Sequence, residues 1–132
     1  MIFGLGTDIV SIARIEAALS RTPALASRIL TPTEYSLFET SKQPARFLAK
    51  RFAAKEATVK ALGTGIGRGV GWQQLQVDKE EYGRPVLHLS GKAADIANSL
   101  GITAWHLSYS DEVDYVVAQV IAEANDATNR LR

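Results

Sequence analysis

Apolar and small residues alternate over residues 2–10, with Phe3, Leu5 and Ile9 on one side and Gly4, Gly6 and Asp8 on the other. A period of two with β-branched residues predicts a strand. Its glycine side should leave open space beside Asp8. Ser11 then caps a helix running to about residue 20, with Ile12, Ile15 and Leu19 as its apolar stripe. Thr22-Pro23 interrupts it, and a second short helical stretch carries Arg28. Thr31-Pro32-Thr33-Glu34 predicts another helix start, with Thr31 as cap, Pro32 at the first position and Glu34 three residues on. Ser41 to Pro44 reads as a break, and residues 45–62 as the strongest helix of the chain. Leu48, Phe52, Val59 and Leu62 form its core face, while Ala49, Ala53, Glu56 and Lys60 form a second, narrow stripe.

Five glycines follow at alternate positions, 63 to 71, and predict a loop that closely approaches a ligand or another backbone. Residues 72–77 and 85–89 read as strands around a turn. A helix runs from Ser90 to about residue 100. Residues 103–110 and 115–122 form a hairpin linked through 111–114. One strand, then helices, then strands with one more helix argue for an α+β fold, an antiparallel sheet packed with helices. The folded domain is expected over 1–123, with a polar tail over 124–132.

At 132 residues the chain is long enough for one domain with a real core. The formal net charge of +1 gives no overall bias toward nucleic acid or membrane, so electrostatic recognition must come from local clusters. A nucleic-acid module would also need aromatics along a basic groove, and the two tryptophans fall on predicted core strands. There are no cysteines, which rules out disulfides, zinc–thiolate sites and a thiol nucleophile. The apolar runs fall short of the roughly 20 residues of a membrane helix, and no secretory leader pattern opens the chain. A cytoplasmic protein is expected.

Chemistry concentrates at three places. Asp8 is an aspartate in an apolar strand, where aspartate is disfavoured. It either caps the next helix or binds a hard cation. Glu56 and Lys60 are spaced as an ordinary solvated i, i+4 pair. Their alanine stripe suggests a floor for something larger, and the glycine loop beyond them offers backbone N–H groups to phosphate oxygens. Mg²⁺ commonly takes only one or two carboxylates, with water and substrate phosphates completing its shell. Asp8 and Glu56 therefore suffice for it. Arg14, Arg21 and Arg28 form either a solvated face or a docking strip for an acidic helix. Lys55 points near the apolar face, as a snorkelling lysine or a phosphate contact. His88 and His106 have no metal-spacing partner and are read as structural. The glycine spacing is wrong for a phosphate-binding P-loop or a dinucleotide fingerprint.

Residues Gly4-Leu-Gly-Thr-Asp-Ile-Val10, Phe52-Ala-Ala-Lys-Glu-Ala-Thr-Val-Lys60 and Gly63-Thr-Gly65, in this order and in a chain of this length, resemble the two motifs of the holo-acyl-carrier-protein synthase family. These are the short bacterial 4′-phosphopantetheinyl transferases, and the resemblance spans residues 1–123. It implies that Asp8 and Glu56 bind Mg²⁺ and that Lys60, Gly63 and Gly65 face coenzyme A. It places Arg51 and Gly83-Arg84-Pro85 where the family touches the nucleotide part of coenzyme A. It implies that Arg14, Arg21 and Arg28 meet an apo acyl carrier protein, and that the protein is a homotrimer serving fatty acid biosynthesis. Glu56 and Lys60 are the expected catalytic residues, with Glu56 the candidate base. Asp111 stands where many relatives carry histidine. The rival reading is a non-catalytic adaptor that binds an acidic helix through the three arginines.

Overall fold

The structure, a computed structural model, describes residues 1–79 and 82–125. It begins with β1 (Ile2–Ser11), followed by α1 (Ile12–Arg21), α2 (Leu25–Ile29), α3 (Pro32–Glu39) and the long α4 (Pro44–Leu62). A 3₁₀ turn (Trp72–Gln74) leads into β2 (Leu75–Lys79) and β3 (Pro85–Leu89). Then come α5 (Gly91–Ser99), β4 (Ile102–Asp111) and β5 (Tyr115–Ala124). β1, β5 and β4 form an antiparallel three-stranded sheet in that order, and β2 and β3 form a separate antiparallel hairpin. This is the α+β arrangement expected from the order of elements.

The alternation of β5 explains the core. Val116, Ala118, Val120, Ala122 and Ala124 are buried along one face, and α4 packs over that face and over β1. Two glycines set the distance between helix and strand. A Cβ on Gly6 would lie 1.8 Å from the Ala57 carbonyl oxygen, and one on Gly4 would lie 2.1 Å from that of Ala61. Both are impossible contacts, so at these positions only hydrogen fits. The expected open space beside Asp8 is therefore filled by α4 itself. The two alanines of the narrow stripe are likewise no floor for a ligand: Ala49 and Ala53 are buried in the core, as are Ala57 and Ala61 beside them.

Side-chain caps form at two of the five described helix starts, and Ser90 before α5 makes no such bond. Ser11 accepts from the Arg14 amide at 3.4 Å. Thr31 and Glu34 form the complete capping box, with Pro32 at the first position. One local expectation gives way: residues 72–74 are a 3₁₀ turn and not strand, because Gln74 turns back to donate to the Gly71 carbonyl. The expected break falls between α3 and α4, and Pro44, its last residue, opens α4, where its missing N–H costs nothing. Ala124 is buried and its amide donates to Met1 O at 2.7 Å, so the sheet continues one residue beyond the expected domain edge. Residues 126–132 of the expected tail lie outside the described ones.

Candidate active site

The register of β1 and the pitch of α4 bring three charged side chains together. Lys60 Nζ donates to Asp8 Oδ1 and to the Thr7 carbonyl, both at 3.0 Å. Glu56 lies one helical turn before Lys60 and feels both partners. Burial raises its carboxyl above the usual glutamate range, the nearby Asp8 charge raises it further, and Lys60 pulls it back down. Asp8 is well sheltered, with its side chain 15% exposed, whereas Lys60 is 53% exposed. The cluster is thus two carboxylates in a partly desolvated corner with one half-exposed ammonium bonded to Asp8.

The glycine loop behaves differently from the sequence expectation. Gly63 ends α4 in the left-handed region, at φ 87°. The amides of Gly63, Thr64 and Gly65 all turn back to the Val59 carbonyl, at 3.0, 3.1 and 3.3 Å. These are helix-capping bonds, so the expected free N–H donors are engaged. Nothing lies within 4 Å of an added Cβ at Gly63, Gly65, Gly67 or Gly71. At Gly63, Gly65 and Gly67 glycine serves positive φ, with no close approach to backbone.

Lys55 is neither snorkelling nor available to phosphate. It is fully buried, and its ammonium donates to Glu34 Oε1 at 2.6 Å, Ile29 O at 2.7 Å and Trp72 O at 3.1 Å. Burial lowers its pKa, and the Glu34 charge opposes that shift. Glu34 is the hub. Its Oε1 also accepts from the Thr31 amide, and its Oε2 accepts from the Val77 amide at 2.8 Å and lies 3.6 Å from Arg51 Nε. One buried carboxylate therefore ties the start of α3, the middle of α4 and β2 together. From sequence Glu34 was legible only as a capping-box residue. Its long-range partners lie 17 to 43 positions away and carry no local signal.

Above that hub is a basic cleft of about 420 Å³, a size typical of small-molecule sites. Lys42, Arg46, Lys50, Arg51 and Lys79 line it, with Phe47, Gly83, Pro85 and Tyr109. The Arg51 guanidinium lies 4.5 Å from the Phe47 ring centroid. The buried Tyr109 hydroxyl sits near Arg51 without the geometry of a hydrogen bond, and burial pushes its phenol up to about 12. Arg51, Gly83 and Pro85, named from resemblance, thus meet in one cleft, with Arg84 on the exposed turn between Gly83 and Pro85. Lys42, Arg46, Lys79 and Tyr109 were missed. Lys42, Arg46 and Lys50 recur at intervals of four, which was an available sign of one basic face.

Arg14 and Arg21 are exposed on α1, and Arg28 is exposed on α2. A second, larger hollow of about 690 Å³ lies between α1 and the start of α4, with Ile12, Leu19, Pro44 and Val113 in its wall. His88 stands 3.4 Å from Asp78 and His106 2.9 Å from Glu123, both on exposed strand faces. No cluster of three or more potential metal-ligating acids, histidines or cysteines exists among the described residues.

The family model described as ACPS, 4′-phosphopantetheinyl transferase superfamily, matches residues 4–120. The chain belongs to the holo-[acyl-carrier-protein] synthase family. It is 52% identical over 134 residues to the holo-[acyl-carrier-protein] synthase of Shewanella loihica, covering 95% of this chain and 100% of that protein. Among solved structures it resembles the family member from Neisseria meningitidis, with a TM-score of 0.87 and 44% identity over 93% of this chain and 99% of the other. It also resembles the Bacillus anthracis synthase in complex with coenzyme A (3′,5′-ADP), with a TM-score of 0.79 and 36% identity over 95% and 99% of the two chains. The acidic corner and the basic cleft share one helix: α4 carries Glu56 and Lys60 as well as Arg46, Lys50 and Arg51.

Proposed function

We propose that this protein transfers the 4′-phosphopantetheine arm of coenzyme A to a serine hydroxyl of an apo acyl carrier protein. The serine oxygen bonds to the phosphorus that carries the pantetheine arm. The pyrophosphate bond on the far side of that phosphorus breaks, and adenosine 3′,5′-bisphosphate leaves. The observation that carries this reading is the layout of α4. At about 1.5 Å rise and 3.6 residues per turn, Glu56 is about 7.5 Å along the axis from Arg51 and about 140° around it, so one rigid helix presents the two charged sites on different faces. Between neighbouring protomers of the proposed homotrimer, one extended ligand can place its nucleotide in the basic cleft and its pyrophosphate beside Asp8, Glu56 and Lys60.

Asp8 and Glu56 fit a magnesium ion. They are two carboxylates, one of them held above its usual range by burial and by the charge of the other, which is a donor pair short of positive charge. When bound there, the ion supplies charge that stabilises the pyrophosphate oxygens. Lys60, exposed and bonded to Asp8, adds a second positive charge at the same place. Glu56 takes the serine proton, directly or through a water, and its raised pKa suits it as a base. Gly63 and Gly65 shape the loop beside this point. Arg51, Arg84 and Pro85, with the cleft lysines, receive the nucleotide.

Arg14, Arg21 and Arg28 dock the acidic carrier. The outer face of the sheet supports a homotrimer: Leu5 and Ile9 of β1 are each 64% exposed on the side away from α4. Among the described residues no helix is long and apolar enough to cross a membrane, in keeping with action on carriers in the cytoplasm, in fatty acid biosynthesis. A non-catalytic adaptor would leave the acidic corner and the basic cleft without a role.

Single-site kinetics test the assignment. Asp8→Ala and Glu56→Ala should abolish turnover, a loss beyond a thousandfold, while Arg14→Glu should raise KM for the carrier with little change in kcat. Near-normal turnover of Asp8→Ala at limiting Mg²⁺ would sink the metal assignment.

A further inference from the structure

Asp111, at the end of β4, stands at the rim of the basic cleft. Its Oδ2 lies 2.8 Å from Arg46 Nη1 and 3.7 Å from Lys50 Nζ. Both cations line the cleft. Among the described residues Asp111 is the one carboxylate within ion-pair distance of either. Two of the five cations that give the cleft its sign are therefore partly cancelled by one acid.

Arg46 does not need that acid to stay in place. Its Nε donates to Gln43 Oε1 at 2.9 Å, its Nη1 to the Glu112 carbonyl at 2.7 Å and its Nη2 to the Val113 carbonyl at 3.1 Å. These bonds already fix the guanidinium between the start of α4 and the β4–β5 turn. Lys50 has no second ion pair among the described residues, so Asp111 is what competes for its charge. The contribution of Asp111 is mainly charge and only secondarily position.

We propose that Asp111 is an affinity-limiting residue of the cleft: it neutralises Arg46 and Lys50 and so weakens the hold on the anionic nucleotide end of the ligand. A phosphate monoester entering the cleft brings up to two negative charges. It must share Arg46 and Lys50 with a carboxylate already on them, at the cost of like-charge repulsion. The effect grows with ligand charge, so a nucleoside bisphosphate is held back more than a monophosphate. A bisphosphate product is thereby released more readily. This inference rests on the reading of the cleft as the nucleotide site, and the experiment separates the two.

Titration calorimetry of the full chain with 3′,5′-ADP and with 5′-AMP, at fixed ionic strength, would compare the wild type with Asp111→Asn and Lys79→Ala. Asparagine keeps the size of the side chain and an oxygen for Arg46 while removing the charge. Asp111→Asn is expected to bind 3′,5′-ADP roughly three- to tenfold more tightly, the scale of one partly exposed charge acting on a doubly charged phosphate. The gain should be smaller for 5′-AMP and shrink at high salt. Lys79→Ala should weaken 3′,5′-ADP binding if the nucleotide occupies the cleft. Equal or weaker binding by Asp111→Asn, with the Lys79→Ala loss intact, overturns the proposal and leaves the cleft reading standing. No loss in Lys79→Ala overturns the cleft reading and the proposal with it.

Discussion

Glu56 is the residue whose environment is most at odds with its charge. Because burial and Asp8 raise its pKa above 4.5, the folded state binds its proton more tightly than the unfolded state does. Its contribution to stability is therefore full below 4.5 and is lost as pH rises through the raised value. At neutral pH and without metal, the ionised carboxylate strains the fold. Glu56→Gln should accordingly melt at a higher temperature than the wild type at pH 7.5 in EDTA, and the difference should narrow toward pH 4.5. Magnesium should raise the melting temperature of the wild type and leave the variant nearly unchanged. Scanning calorimetry across pH checks this; a variant that melts lower at pH 7.5, or a gap independent of pH, would contradict it. Glu34 is the opposite case, a buried carboxylate fully provided with donors and cations. Both of its own oxygens are partnered, so it reads as scaffold despite its closeness to the cleft.

The decisive contact between elements is α4 against β1, made at two glycines. Gly6 carries more than conformational freedom, since its hydrogen is what lets the Ala57 carbonyl approach. Asp8 is two residues further along the same strand face and Glu56 immediately precedes Ala57, so this contact sets the spacing of the acidic corner. Gly6→Ala must push strand and helix apart and should cost about 1–3 kcal/mol by overpacking. Chemical denaturation gives that loss, and magnesium affinity measured on the same folded variant should fall with it. Unchanged stability would mean that the strand slides freely. Sequence reading recovered the elements here because local physics sets them: the alternation of β1, the Ser11 and Thr31 caps, and the glycine at the end of α4. It misread what the small residues were for. Alanines and glycines at regular spacing look alike whether they receive a ligand or another piece of backbone, and the partner was forty to sixty positions away. For the same reason Lys55 looked accessible, because its counter-ion Glu34 is visible only in the folded arrangement. The amides of the glycine loop looked free because capping geometry depends on φ values that the sequence leaves open.

Across the whole molecule, one face of the three-stranded sheet is covered by α4 and the other carries exposed Leu5 and Ile9. A trimer built on that face would bury them. Ile9→Asp should then shift the protein toward monomer, by light scattering after gel filtration, without lowering its secondary-structure content. A variant of unchanged mass would place the subunit contact elsewhere. The layout of the acidic corner and the basic cleft along one rigid helix is also a whole-molecule property. It was legible in part, since Asp8, Glu56 and Lys60 carried their own signal, whereas Lys79 and Tyr109 joined the cleft only through folding. The central claim is that this layout transfers phosphopantetheine with the aid of a divalent cation. Its most direct test is intact-protein mass spectrometry of an apo acyl carrier protein after incubation with this protein, coenzyme A and Mg²⁺, beside an EDTA control. The account predicts a mass gain of one phosphopantetheine arm that EDTA abolishes; a carrier of unchanged mass beside folded protein, or a gain indifferent to EDTA, would contradict it.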